Sequence, residues 1–515
     1  MRRWHHACLA AWIVLYGSVA AHAAQQSAGI PKLNAAQLAK AIDQLIDKRL
    51  AQEKISPSPL ADDAEFMRRA YLDITGVIPS WQKAAEFIDS QDPNKRARLI
   101  DELLADPKYG RHFADVWKQL TFPLTSTARR YPDEPYRQWL TAKFNANTPW
   151  DKMVYEWLTA TGSQDKNGAV TYFLANGTID QITDSVTKQF LGVQLQCAQC
   201  HNHPFTNWKR DEYWGMAAFF MKVRPERTKR GQTASVTEVS KGKPKLPVSA
   251  KQVPAKFLQG AEPKLDPNKP YRPVLAEWIT SPNNPYFAKA MVNRMWGQFF
   301  GRGIVHPVDD MHEGNPPTNP ELLTLLAEQF KANGFDLHYL IRAICQTKAY
   351  QRTSKPAGNN KDDKLFYSHM AVKVMTPEML YDSLQSVMGN NRPPVNRGKK
   401  PRPGNSARDQ FAIFFRTDEG IDPTEYSAGI PQALRLMNSG ELNRNSAMLD
   451  EILKSTSEPA EVLDRLFLGT LSRRPTANEK QKFLGYIEQK ADNARDGYRD
   501  VLWVLLNTSE FTLNH

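Results

Sequence analysis

"NAAQLAKAIDQLIDKRLAQE" (residues 34–53) decides how this chain is to be read. Leu38, Ile42, Leu45, Ile46 and Leu50 recur at steps of three, four and one, so they share one helical face. Asn34 stands where an N-cap belongs. The same period returns outward from this stretch. "PNKRARLIDELLAD" (93–106) carries Leu99, Ile100, Leu103 and Leu104. "YGRHFADVWKQL" (109–120), "YRQWLTAKFNAN" (136–147) and "DEYWGMAAFFMKV" (211–223) read as further helices with buried aromatics. Beyond residue 270 the spacing predicts helices over 270–280, 284–301, 319–334, 476–490 and 498–511. Gly301 is placed to end one of these, Asn319 to begin another, and Thr476 and Glu479 form a T-x-x-E capping box. No tandem repeat of fixed period appears. The expected fold is mainly α.

Helical periodicity stops between 224 and 270, where Lys, Pro, Ser, Thr and Val dominate. Short strands are expected there, at 234–240 and 245–250. The expected organisation is therefore two helical domains, 30–223 and 271–515, joined by a loop-rich linker (224–270) with a small β element. A second, basic loop spans 389–409. The chain has 515 residues, enough for two or three cores. With 41% hydrophobic residues and twelve tryptophans, wholesale disorder is excluded.

The opening "MRRWHHACLAAWIVLYGSVAAHAAQQ" has a basic start, a short apolar run and an A-x-A site at Ala21 and Ala23. It reads as a secretory signal peptide over 1–23. The apolar run is short for a membrane span, and no later stretch is long enough, so no transmembrane segment is expected after cleavage. The product is expected in the periplasm, secreted or at the cell surface. Removing Arg2 and Arg3 lowers the formal charge from +12 to +10. The basic runs at 224–230 and 396–403 read as solvated loops, and an exported protein seldom meets nucleic acid. Cys197, Cys200 and Cys345 remain, too few for a disulfide framework. Cys345, in an apolar helical pattern, reads as a buried thiol.

"VQLQCAQCHNHPFTNW" (193–208) concentrates two of the four cysteines and two of the eleven histidines. Cys197-Ala198-Gln199-Cys200-His201 is C-x-x-C-H, the c-type haem attachment signature. Thiols three apart can reach the two haem vinyl groups, and the adjacent histidine can ligate the iron. Three other readings stay open: a zinc or other metal site drawing on Cys197, Cys200, His201 and His203, a redox dithiol, and a short disulfide. His203 is too near His201 to reach the opposite haem face, so an outer hydrogen bond or propionate contact is its expected role. Met216 and Met221 are the candidate distal ligands, with Met291, His112 and Met153 as alternatives; each also fits ordinary core packing. "HPVDDMHEGNPPTNP" (306–320) gathers His306, Asp309, Asp310, His312 and Glu313. Asp309, Asp310 and His312 could bind a divalent cation or serve as acid and base, or the segment could be a structural loop. No nucleotide, nucleophile-elbow or zinc-protease motif appears.

"DDAEFMRRAYLDITGVIPS" (62–80), "FLGVQLQCAQCHNHPFTNW" (190–208) and "YWGMAAFF" (213–220) resemble the planctomycete cytochrome-c-like domain, a family of unknown function. The stretch 283–330, "AICQTKAYQRTS" (343–354) and "LLNTSEF" (505–511) resemble the companion domain that follows it. The resemblance implies a secreted or periplasmic protein with a haem c site at Cys197, Cys200 and His201, and it supplies no settled reaction. The leading expectation is thus an exported haem protein with an electron-transfer role, serving a redox partner protein or a system acting on a cell-surface polymer. The alternatives are a surface scaffold whose cluster holds zinc or a disulfide, and a metal-assisted hydrolase using 306–313.

Overall fold

The computed structural model describes residues 31–122, 131–226, 233–239, 253–389, 406–415, 446–490 and 493–515. The expected signal peptide (1–23), the expected strand at 245–250 and most of the basic loop lie outside them. The protein is mainly α, with small sheets of two and three strands.

The first helix, Ala35–Glu53, is set at its start by a reciprocal pair: Asn34 Oδ1 accepts from the Gln37 amide at 2.9 Å, and Gln37 Oε1 accepts from the Asn34 amide at 2.9 Å. Leu38, Ile42, Ile46 and Leu50 are buried, while Leu45 on the edge of that face is half-buried. The helices expected at 93–106, 109–120 and 136–147 are Lys95–Ala105, Pro107–Thr121 and Glu134–Asn145. In the second half Phe287–Phe300 ends on Gly301 at φ 79°, Pro320–Ala332 starts from the Asn319 cap, and the Thr476–Glu479 box opens Ala477–Gln489. One helix is shorter than expected. The segment 211–223 is helical over Arg210–Ala217, tightens to a 3₁₀ turn at Ala218–Phe220, and gives way to a strand at Val223. The sheet competes successfully for its last residues. The expected strand at 234–240 is Ser235–Glu238, the central member of an antiparallel sheet with Gly162–Ser163 and Val223–Glu226 on its flanks. A buried ion pair, Glu238 Oε2 with Arg272 Nε at 2.8 Å, pins this strand to the helix Arg272–Thr280.

Two apolar cores organise the chain. The larger takes residues from both sides of 224–270, from Ala35 to Met370 with Leu468. The smaller joins Leu72 and Ile78 to residues from Met375 to Phe511. Helix Asp63–Thr75 contributes to both, and nine of its thirteen residues are buried, including Arg68, Arg69 and Asp73. Buried charge is tolerated only when bonded. Arg68 donates to the carbonyls of Thr470 (3.0 Å) and Phe511 (2.8 Å), and Arg69 bonds the Arg352 carbonyl (3.0 Å) and Glu65 Oε1 (2.7 Å). Asp73 accepts from Lys373 Nζ at 2.6 Å, Asn514 Nδ2 at 2.7 Å and the Tyr350 hydroxyl at 2.9 Å. The final strand, Leu513–Asn514, pairs with Lys373–Val374 beside this carboxylate. The last residues of the basic loop belong to helix Ala407–Phe415, where Arg408 bridges Asp115 (2.7 Å) and Asp382 (2.6 Å). No helix among the described residues is long and apolar enough to cross a membrane.

Candidate functional site

The C-x-x-C-H segment is displayed on a surface turn by the elements around it. Helix Ile179–Val186 runs into a π-helical turn, Thr187–Leu191, which stops at Gly192 in the left-handed region (φ 68°). π-turns are uncommon and concentrate at functional sites. The chain then forms a 3₁₀ turn over Gln196–Gln199. Ala198 is buried and anchors the turn, and Trp214 Nε1 donates to the Gln199 carbonyl at 3.0 Å. Cys197 and Cys200 flank that anchor as exposed, free thiols.

His201 is exposed beside them. Its Nδ1 lies 2.7 Å from the Asn202 carbonyl. A carbonyl only accepts, so in the neutral ring this contact places the proton on Nδ1 and leaves Nε2 with the lone pair. That tautomer is the one a metal ligand requires. His203 is used differently. Its Nδ1 accepts from the amides of Thr206 (3.1 Å) and Phe205 (3.2 Å), and its own amide donates to the Trp208 carbonyl at 2.9 Å. It therefore shapes the 203–208 loop, whose tip, Phe205, is 86% exposed.

The other sequence candidates are distributed as follows. Met216 is wholly buried in the larger core, and Met221 packs half-buried against it. Met153 and Met291 are core residues, as is the free thiol Cys345. His112 is buried, and burial pushes its pKa down to about 4; the charges acting on it include Asp115, Asp73 and Lys373.

The 306–315 loop comes from far along the chain to the same place. Asn293, fully buried, fixes its base by accepting from the Val305 amide and donating to the Val305 carbonyl, both at 2.9 Å. Within it, His312 Nδ1 accepts from the Gly314 amide at 3.0 Å, and His312 Nε2 lies 3.6 Å from Asp310 Oδ2. Three contacts then join the loop to the cysteine segment. The Met311 amide donates to the Gly192 carbonyl at 2.9 Å, Gln194 Nε2 donates to Asp309 Oδ1 at 3.1 Å, and Asn207 Nδ2 donates to Glu313 Oε2 at 2.9 Å. So two clusters that read as separate in the sequence share one site. Asp309 is turned toward Gln194 while His312 is paired with Asp310. Among the described residues no three His, Cys, Asp or Glu side chains are grouped to hold one metal ion.

On the helix that leads into the turn, Asp184 is a half-buried carboxyl. Asp184 Oδ1 and the hydroxyl of fully buried Tyr213 have no hydrogen-bond partner among the described residues. Burial, aided by the Asp180 charge and opposed by Lys188, raises the Asp184 pKa from 3.8 to about 6. The folded state thus holds a proton that the unfolded chain releases at lower pH, so this group's contribution to stability falls as pH rises between those values. Asp184→Asn should therefore gain stability relative to the native protein as pH is raised from about 4 to about 7, measured as the difference in urea midpoints. A difference that does not change with pH would refute the raised value.

Fold and site together define a mainly helical protein with a C-x-x-C-H turn at its surface, bridged to a loop more than a hundred residues away. The family comparison agrees. The PSCyt2 model, described as a protein of unknown function (DUF1549), matches residues 41–225, and the PSD1 model, a protein of unknown function (DUF1553), matches residues 271–412. The chain belongs to the proteins that carry this domain pair. The cysteine turn lies in the first match and the 306–315 loop in the second. No curated protein and no solved structure matches the chain.

Proposed function

We propose that this is an exported c-type haem protein with an electron-transfer role, attaching haem through Cys197 and Cys200 and ligating its iron through His201. The observation that carries this reading is the combination at the turn: two free, exposed thiols three residues apart, followed by a histidine whose Nδ1 faces a carbonyl, which in the neutral ring leaves the lone pair on Nε2. Attachment needs no added oxidant or reductant. Each thiol adds across one vinyl group: a carbon–sulfur bond forms, the thiol hydrogen goes to the other vinyl carbon, and the double bond becomes single. Bound iron would supply one-electron chemistry. The protein's part is to present the thiols on a turn held by Ala198 and Trp214, and to fix the His201 tautomer through the Asn202 carbonyl. A zinc site would need a third and fourth ligand that the described residues do not bring together. The first model's name, PSCyt2, points the same way. Export follows from reading residues 1–23 as a signal peptide, and it would place the chain where haem c is attached. The partner is proposed to be a redox protein or a system acting on a cell-surface polymer.

The test is expression with haem-attachment machinery. The peptide containing Cys197–His201 should gain the mass of one haem, and the Soret absorbance should stay with the protein through acid–acetone extraction. A colourless product with an unmodified peptide would defeat the proposal.

A further inference from the structure

We infer that the second domain's 306–315 loop is a clamp on the cysteine turn, and that Asp309 and Glu313 are positioning residues for haem attachment. The functional half of this rests on the haem reading above; it goes beyond that reading by giving the second domain a role in the first domain's site.

Three observations carry the inference. First, different parts of the chain hold the middle of the turn and its ends. Helix Arg210–Ala217 holds the middle: Trp214 Nε1 donates to the Gln199 carbonyl and the Arg210 amide donates to Asn202 Oδ1, both at 3.0 Å. The loop holds the ends, bonding Gly192 and Gln194 before the thiols and Asn207 after His201, at 2.9–3.1 Å. Cys197, Cys200 and His201 thus lie on a span bracketed by second-domain contacts. Second, the loop is itself braced, so it can act as a fixed jaw. Asn293, on helix Phe287–Phe300, also donates to the Val308 carbonyl at 3.2 Å. Asn315 Nδ2 donates to the carbonyls of Asp310 (2.9 Å) and His306 (3.3 Å). Third, loop and turn interlock closely at Gly192. Its left-handed φ of 68° favours glycine, and a Cβ there would collide with the Met311 methyl and press on Ala290. Met311 is therefore a packing contact that seats the jaw. The chemistry gives the clamp its purpose. Two sulfurs and one imidazole must meet a single rigid, planar group, so their mutual placement has to be held by surrounding contacts.

The experiment uses the full chain, both haem-free and made with haem-attachment machinery. One variant, Asp309→Ala with Glu313→Ala, removes both acceptors. A second, Asp309→Asn with Glu313→Gln, keeps an oxygen acceptor at each place. Glu313→Ala alone breaks an exposed contact and guards against misfolding of the double variant. In the haem-free chain, hydrogen exchange of peptides within 193–208 should speed up about tenfold in the alanine double variant, and in the same direction for Glu313→Ala. Exchange in helix Ala35–Glu53 should stay native, and the Asn/Gln variant should restore slow exchange. In the haem-loaded chain, the alanine double variant should carry more haem on one sulfur only. The pyridine haemochrome band reads this, because it shifts with the number of saturated vinyl groups. Native exchange across 193–208 in both alanine variants overturns the clamp. Faster exchange with an unchanged band overturns the positioning role and leaves haem attachment standing. A native chain that takes up no haem overturns the haem reading and the positioning role together, and exchange alone then decides the clamp.

Discussion

Asp73→Ala should lower the free energy of unfolding by about 3–5 kcal/mol, the scale for removing one partner of a buried ion pair. The carboxylate is 2% exposed and accepts from three side chains, Lys373, Tyr350 and Asn514. Alanine leaves the Lys373 ammonium with only the carbonyls of Phe299 (2.8 Å) and Gln298 (3.0 Å), and it frees the Tyr350 hydroxyl and Asn514 amide inside the protein. The loss is also architectural. Asp73 sits on the helix that feeds both cores, Lys373 begins the strand leaving the larger one, and Asn514 lies in the strand that pairs with it. Chemical denaturation should therefore show a lower midpoint, and limited proteolysis should reach the segment after residue 373 sooner. The exposed pair Lys48–Glu321 serves as the contrast: its side chains are 54% and 61% exposed, and breaking it should change stability by less than about 1 kcal/mol. Equal effects at the two positions would show that the Asp73 cluster does not join the cores.

The second large effect is chemical rather than structural. Cys197→Ala combined with Cys200→Ala should abolish covalent haem, so that all Soret absorbance passes into the organic phase on acid–acetone extraction. Both thiols are exposed and unpaired, so stability of the haem-free chain should change by no more than about 0.5 kcal/mol. Either single substitution should leave haem on one bond, with a shifted spectrum and the same added mass on the peptide. His201→Gln should keep the added mass and change the spin state, because it removes the iron ligand and leaves both sulfurs. A double variant that still holds colour through extraction would place the attachment elsewhere.

Much of this molecule was legible without coordinates, and the reason is local. Helix Ala35–Glu53, its Asn34 cap, the Gly301 stop and the Thr476 box each depend on residues within about one turn of each other, a range that periodicity and capping rules cover. The C-x-x-C-H string is likewise complete in five residues. Helix Arg210–Ala217 is shorter than its periodicity predicts because a strand partner more than ten residues away, Glu238, takes Val223 into a sheet. The π-turn at Thr187–Leu191 carried no distinctive pattern beyond the glycine that ends it.

What the amino-acid order determined by itself was the helical class, the caps, the family and the thiol–imidazole turn. Only the tertiary structure decided that helix Asp63–Thr75 would bury two arginines and an aspartate, and that Glu313 would meet Asn207 and Met311 would meet Gly192. Those meetings join residues roughly a hundred or more positions apart. No local propensity encodes them; they exist because one apolar core draws both halves of the chain together and leaves the two loops on the same face.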